Sequence, residues 1–212
     1  MTVNALTFDE NILSASGSAP CGKIFYAGGG RLSDERVVHF VTAGSGADYE
    51  RGDGVYLPSV MDDIAIDEAI ERAAEGRRMI ISACVTLDEV GTCDKKYGAT
   101  PVGLAHKFGL LGELTYISGG VYLDKDDIDL IVQSGAKVIL TPSDSLGFGC
   151  GIPPLRMLET LGARVLLGTG SGRFNAEADL GFERRLMLLA ASGMLCTPDP
   201  VSADFLARMT EE

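Results

Sequence analysis

The sequence predicts an α/β protein built as a (β/α)8-type barrel, and three observations support this prediction. Short apolar runs alternate with helical patterns along most of the chain. The turns SGAKVIL (134–140) and LGARVLL (161–167) repeat one device 27 residues further on: a glycine that ends a helix, a small residue, a cation and an apolar strand. The strands are apolar nearly throughout, which is typical of parallel strands buried on both faces. Six or seven βα units can be counted, so we expect an incomplete barrel, with a doubly wound open sheet as the alternative.

The first third of the chain has weaker patterns. The predicted strands are residues 3–8, 22–30 and 53–60, with residues 36–44 either a strand or the end of a helix. Asp9 opens a short predicted helix. Asp62 and Asp63 open a longer one, because acidic residues favour the positive end of a helix, and Gly76 ends it.

From residue 77 the alternation becomes regular. The predicted strands are residues 77–85, 113–121, 136–144 and 163–172. The predicted helices are residues 88–98, 100–109, 124–134, 153–162, 180–193 and 201–212. Asp124 is the predicted N-cap of the third of these helices and Gly135 its stop signal.

Length and composition favour one soluble domain covering residues 1–212, since 212 residues with 46% hydrophobic content suffice for a single core. The net charge of −12 disfavours nucleic acid and anionic membranes as partners. Five scattered cysteines without a CxxC pair indicate reduced thiols. The sequence shows no export signal and no apolar run of about 18 residues, so a cytoplasmic location is expected.

A candidate site lies in Gly135–Gly172, where two glycine-rich loops follow apolar strands. Ligands of parallel α/β proteins bind at this carboxyl edge. Gly168, Gly170 and Gly172, with Ser171 and Arg173 beside them, form either an anion-binding loop of backbone N–H groups or a plain glycine loop.

Three long phrases in order carry a family resemblance: DEVGTCDKKYGATPVGLAHKFGLLGELTYISGGVYLDKDDIDLI, PSDSLGFGCGIPPLRMLETLGARVLLGTG and a helical tail. From about Met79 to Met209 the chain resembles the metal-dependent amidohydrolases, in the branch that deaminates S-adenosylhomocysteine, methylthioadenosine, guanine and cytosine or dechlorinates triazines. The resemblance implies a barrel fold and hydrolysis of C–N bonds in purine- or amide-like substrates.

The metal chemistry of that family has no counterpart in this sequence. The resemblance places Ser82 at the fifth-strand histidine, Gly119 at the sixth-strand histidine and Gly170 at the eighth-strand aspartate, with Val85 at the proton-shuttling glutamate. No His-x-His pair is present, and a first barrel strand and the flanking β-sandwich are not recognised. A hydrolytic metal needs about three N or O ligands, so no metal site and no cofactor are predicted.

Polar residues remain near the same edge. The ligand-cleft candidates are Ser82, Cys84, Gly119, Tyr122, Asp144, Ser145, Gly170, Ser171 and Arg173. Tyr122 replaces a histidine common in related enzymes. Cys150, which has no histidine nearby in sequence, is interpreted as a loop residue, and the acidic segment Asp124–Asp129 as solvated helix surface.

The sequence leaves three candidate functions. The favoured one is a catalytically degenerate amidohydrolase-like protein, either a non-catalytic subunit or a small-ligand-binding protein. The alternatives are a metal-independent enzyme using Ser82, Cys84, Asp144 and Ser171, or a divergent deaminase or hydrolase. A missing first strand would expose a sheet edge, so a homo-oligomer or a hetero-partner covering that edge is also expected.

Overall fold

The structure, a computed structural model, describes residues 3–7, 23–27, 36–46 and 53–209. These residues contain eight strands: β1 (Val3–Thr7), β2 (Lys23–Tyr26), β3 (Val37–Thr42), β4 (Gly54–Leu57), β5 (Arg78–Ala83), β6 (Thr115–Gly119), β7 (Lys137–Leu140) and β8 (Arg164–Leu167). All adjacent pairs are parallel and follow chain order. The predicted barrel-type α/β fold is confirmed.

Eight helices lie in the described part of the chain: α1 (Asp63–Ala74), α2 (Leu87–Tyr97), α3 (Pro101–Lys107), α4 (Lys125–Ser134), α5 (Pro142–Gly147), α6 (Leu155–Thr160), α7 (Leu180–Leu195) and α8 (Ala203–Arg208). Their ends follow local chemistry. Asp124 and Asp127 form a capping box at the start of α4, and Gly135 ends it with a φ of 78°. The helix predicted after Asp9 lies outside the described residues.

The sheet is curled, and an aromatic contact across it demonstrates the curl. Phe25 on β2 packs edge-to-face on Tyr116 of β6, with ring centroids 4.9 Å apart, although three strands separate β2 from β6 in the sheet. Phe25 also meets Phe40 of β3 at 5.3 Å. A flat sheet with strands about 4.8 Å apart would hold β2 and β6 nearly 20 Å from each other, so the aromatic side chains meet inside a barrel.

The two faces of the sheet carry two separate hydrophobic clusters. Alternate residues such as Met79 and Ile81 pack outward against the helices. Their neighbours point inward, and the interior cluster consists of Phe25, Ala27, Val38, Phe40, Ile80, Tyr116, Ile139 and Leu166. Gly54 lies among them because a side chain there would overlap the Phe40 ring. The interior cluster therefore fills the lower barrel, which is the part away from the carboxyl ends of the strands; the upper barrel is the part at those ends.

The ends of the sheet approach each other without a ladder. β1 lies close to β8, but no hydrogen-bonded pairing between them occurs among the described residues, so the barrel is incomplete in this sense. The expectation that a first strand is missing was wrong, because Val3–Thr7 occupies the first position. In the described segments, no helix has the length and apolar character needed to cross a bilayer.

Candidate functional site

The sequence-predicted positions gather at the carboxyl edge of the sheet because all strands run the same way. Ser82 lies near the end of β5, Gly119 ends β6, and Asp144 lies on α5 directly after β7. Gly170 and Arg173 follow β8. The strand ordinals implied by the resemblance agree with the structure: Ser82 on the fifth, Gly119 on the sixth and Gly170 after the eighth.

Three hydroxyl groups face the upper barrel above the interior cluster. Tyr56 packs against that cluster and hydrogen bonds with Ser82, which lies opposite Ser118 on β6. All three side chains are half-buried. Burial raises the pKa of the Tyr56 hydroxyl and the Ser82 hydrogen bond lowers it, with burial the larger effect. Tyr56 therefore stays protonated near neutral pH and can donate. We call Tyr56, Ser82 and Ser118 the hydroxyl cup.

Of the hydroxyl cup, only Ser82 was predicted from the sequence. Ser118 and Tyr56 lie inside the predicted strands 113–121 and 53–60, and neither was a candidate site residue. Strand alternation could have identified Ser118, because Ser118 follows the inward-facing Tyr116 by two positions, as Ser82 follows Ile80.

A second polar group joins the loops after β7 and β8. The carboxylate of Asp144 accepts hydrogen bonds from the Ser171 backbone N–H at 2.7 Å and from the Ser171 hydroxyl at 2.8 Å. Gly170 has a φ of 65°, and a Cβ there would overlap Oδ2 of Asp144. The space where the family's eighth-strand acid would begin is thus filled by an acid from α5, the helix that follows β7. The Ser171 backbone N–H already donates to the Asp144 carboxylate, so it does not contribute to the anion-binding loop considered from the sequence.

Arg173 lies next to this group. Its guanidinium is 5.6 Å from the ring centre of Phe148 and 5.5 Å from that of Phe174, and the two rings meet edge-to-face at 5.1 Å. Both rings are exposed. The guanidinium has no hydrogen-bond acceptor among the described residues. The loop that follows β8 therefore carries a cation packed against two aromatic rings.

Glu183, on α7, is buried and was not predicted as a site residue from the sequence. Its carboxylate accepts from the Ser143 N–H at 2.8 Å, the Ser143 hydroxyl at 2.6 Å and Asn175 Nδ2 at 2.8 Å. Burial raises its pKa, and the hydrogen bonds from Ser143 and Asn175 oppose that shift. Because Ser143 is in the first turn of α5, Glu183 holds the helix that bears Asp144.

Cys84 does not lie in the cleft, contrary to the prediction. Its side chain is fully buried between the sheet and the helices, with Sγ 3.7 Å from Oδ2 of Asp127. Burial, reinforced by the charge of Asp127, raises the thiol pKa, so a nucleophilic thiolate is disfavoured. The assignment of Asp124–Asp129 to solvated surface was wrong at Asp127, which is 1% exposed and accepts from the Thr100 hydroxyl.

The other three candidates have structural contacts. A side chain at Gly119 would overlap Val85, and its φ is 97°. The Tyr122 hydroxyl donates to the Cys150 carbonyl at 2.7 Å. Ser145 is buried, and its carbonyl accepts from the Cys150 N–H at 2.8 Å. Gly119 and Tyr122 thus have structural contacts at the end of β6, and Ser145 has one on α5. Ser82, Asp144, Ser171 and Arg173 keep accessible polar groups.

The donor set does not fit a hydrolytic metal. Within residues 3–7, 23–27, 36–46 and 53–209, no three His, Cys, Asp or Glu side chains are grouped so as to hold a metal ion. His39 is half-buried on β3, where its ring meets Tyr26 at 5.8 Å, and His106 is exposed near the end of α3. No chemical step through a metal can therefore be assigned to the described residues.

Known proteins resemble this chain in sequence and fold. A 5-methylthioadenosine/S-adenosylhomocysteine deaminase from Thermococcus onnurineus is 29% identical over 178 residues, covering 82% of this chain and 41% of that protein. The similarly named deaminase of Thermococcus kodakarensis is 30% identical over 160 residues, covering 75% of this chain and 35% of that protein. The chain thus spans about two fifths or less of these curated relatives. No family model matches it.

Solved structures give the same fold. A zinc-bound adenosine deaminase from Xanthomonas campestris superimposes with a TM-score of 0.68 at 16% identity, covering 84% of this chain and 38% of that one. Guanine deaminase of E. coli gives 0.66 at 14% identity, covering 84% and 39%. Atrazine chlorohydrolase from Arthrobacter aurescens, complexed with zinc, gives 0.62 at 19% identity, covering 89% and 47%. By sequence and by fold, the chain is a relative of the amidohydrolase superfamily.

Proposed function

We propose that this chain is a non-catalytic amidohydrolase-like protein that binds a small molecule in the upper barrel. One observation supports the loss of catalysis most directly: Asp144 fills the space beside Gly170 where an eighth-strand acid would begin. The fifth- and sixth-strand positions hold Ser82 and Gly119, which cannot replace imidazole as metal ligands. Activation of water by a bound metal therefore has no support in these residues.

The hydroxyl cup is the proposed ligand site. The interior cluster closes the barrel from below, while Tyr56, Ser82 and Ser118 remain half-buried above it. Neutral hydroxyl groups both donate and accept, so they suit a ligand with N–H and C=O or ring-nitrogen groups. The names of the relatives point to purines. We therefore take a purine- or amide-like compound as the ligand class.

A divergent deaminase or hydrolase is the second candidate, because the curated relatives are named as deaminases. A metal-independent version would use the hydrogen-bonded pair of Ser171 and Asp144 as nucleophile and base. Against it, the other carboxylate oxygen of Asp144 already accepts the Ser171 backbone N–H, which stabilises the ionised carboxylate and weakens it as a base.

A homo-oligomer or a hetero-partner is part of the proposal, because the edges of β1 and β8 form no ladder with each other among the described residues, and unpaired strand edges attract further strands. Size-exclusion chromatography with light scattering tests this part. A stable dimer or a co-purifying partner is expected, and a compact monomer at micromolar concentration contradicts it.

The main experiment combines elemental analysis with ligand binding. Zinc and iron are expected well below one equivalent per chain, and adenosine, 5-methylthioadenosine or guanine is expected to raise the melting temperature without release of ammonia. A ligand at about 100 times its Kd adds about 2.7 kcal/mol of stability. The variants Tyr56→Phe and Ser82→Ala should weaken binding about tenfold, while Ser134→Ala at the end of α4 should not.

Three outcomes separate the candidates. Stoichiometric zinc or iron with deaminase activity establishes the divergent enzyme. Metal-free turnover that Ser171→Ala abolishes establishes the metal-independent enzyme. Absence of any shift with all three purines overturns the ligand-binding part of the proposal.

A further inference from the structure

A cavity of about 610 Å³ lies outside the barrel, in the helix layer. Its walls come from the segment around the start of α6 and from the end of α7. The apolar lining includes Ile152, Pro153, Leu155, Met157, Met194 and Leu195. This volume lies within the range of about 300–1,000 Å³ that is usual for small-molecule sites. Methionine side chains adapt to ligands of varied shape, which suits the wall to a flexible chain.

The charge of the lining is opposite to that of the chain. Acidic residues outnumber basic ones by 30 to 18, yet the charged side chains of the described lining are the two cations Lys125 and Arg156. Lys125 already pairs with Asp129 at 2.7 Å. The cavity therefore combines apolar walls with a cationic rim in an acidic protein.

Arg156 is the cation available to a ligand. Its Nε donates to the Pro200 carbonyl at 3.4 Å, which orients the side chain. The terminal nitrogens have no hydrogen-bond partner among the described residues. A guanidinium fork held in this way matches the two oxygens of a carboxylate.

We propose that this cavity binds a medium-chain alkyl carboxylate, with the alkyl chain against the apolar walls and the carboxylate on Arg156. A single negative charge fits best, because the net charge of −12 repels a multiply charged ligand. The site is separate from the hydroxyl cup, so the inference is independent of the proposed function.

Titration calorimetry of the full chain with hexanoate, octanoate and decanoate, below their micelle concentrations, tests the apolar part. Each added methylene is worth about a threefold to fourfold gain in affinity, so octanoate should bind about tenfold more tightly than hexanoate. Decan-1-ol should bind at least tenfold more weakly than decanoate. Affinity that is independent of chain length, or equal for the alcohol, overturns the proposal.

Variants locate the site. Met194 is 64% exposed in the lining and Leu189 is 73% exposed on the same helix outside it, so Met194→Glu and Leu189→Glu form a matched pair that should both fold. Decanoate affinity should fall at least tenfold in Met194→Glu and stay unchanged in Leu189→Glu. Equal affinity in both variants excludes this cavity.

Arg156→Gln should weaken decanoate at least tenfold and leave decan-1-ol unchanged, whereas Arg164→Gln, at an exposed cation outside the lining, should affect neither. Sedimentation velocity provides the last check. If the purified chain self-associates and Met194→Glu alone disrupts the association, a second copy occupies the cavity and the alkyl carboxylate proposal is wrong.

Discussion

The carboxylate of Asp144 occupies the space into which a side chain at Gly170 would extend, while it binds the amide and hydroxyl of Ser171. The helix that follows β7 and the loop that follows β8 are therefore coupled, because the Asp144 carboxylate uses the space left by the absence of a side chain at Gly170. This coupling leads to the first prediction.

Replacing Gly170 by alanine should destabilise the protein more than the same change at Gly149. Both glycines have positive φ, 65° and 74°, so each alanine costs about 1–2 kcal/mol of backbone strain. Gly149 has open space, but at Gly170 the new Cβ overlaps Asp144, which adds ~1–3 kcal/mol. Urea unfolding measures the difference.

Shortening Asp144 to serine in the Gly170→Ala background removes the overlap, so the double variant should lose less stability than the sum of the two single changes. Strict additivity would mean that the carboxylate and the glycine are not coupled.

Stability should fall as pH rises above the ordinary carboxyl range. Burial raises the pKa values of Glu183, Asp127 and Glu89 above their usual values of 4.5, 3.8 and 4.5. Between the ordinary and the raised pKa, the folded state binds more protons than the unfolded state, so the free energy of unfolding decreases with pH. Below the ordinary pKa values these groups are protonated in both states, so they add no pH dependence to the free energy of unfolding.

Chemical unfolding at a series of pH values from 4.5 upward measures this slope. Glu183→Gln should flatten the slope, whereas Glu177→Gln, at an exposed position, should not. If the free energy of unfolding of the wild-type protein rises with pH over this range, burial is not the dominant cause of the pKa shifts.

Alkylation should distinguish the cysteines by burial. Cys84 and Cys93 are buried with raised thiol pKa values, whereas Cys196 is exposed. Iodoacetamide reacts with the thiolate, so peptide mass spectrometry of the native protein should find Cys196 modified and Cys84 unmodified. All three should react in denaturant. Equal native rates at Cys84 and Cys196 would place Cys84 in an accessible cleft after all.

Thr100 should matter more than another N-cap threonine. Both Thr100 and Thr86 accept a backbone N–H at a helix start, but Thr100 also donates to the buried carboxylate of Asp127. Thr86→Val should cost about 0.5–2 kcal/mol. Thr100→Val leaves a buried acceptor without its donor and should cost ~1–3 kcal/mol more. Thermal melts compare the two, and equal losses would show that the bond to Asp127 contributes nothing net.

Local signals allowed much of the fold to be predicted from the sequence. The strands β5 to β8 were predicted because their apolar runs are bounded by glycines and caps, such as Asp124 and Gly135. Those signals act within a few residues of the chain, so they do not depend on tertiary structure. The order of the barrel strands followed from the family resemblance.

The polar interior could not be predicted in the same way. In sequence, Glu183 looks like a first-turn acid on an exposed helix, yet its partner Ser143 is 40 residues away. Asp127 is buried by Cys84, 43 residues before it. The burial of these acids depends on which elements the barrel brings together, and helical periodicity contains no information on that distance.

The contact between Phe25 and Tyr116 also has a consequence for how the chain folds. The two rings are separated by 91 positions, from 25 to 116. During synthesis, Phe25 on β2 cannot contact Tyr116 until residue 116 has left the ribosome. Long-range pairing of this kind slows folding, since the entropy of closing the loop is lost before the contact forms. The N-terminal strands should therefore gain protection against hydrogen exchange last, after the segment from β5 to β8 has assembled.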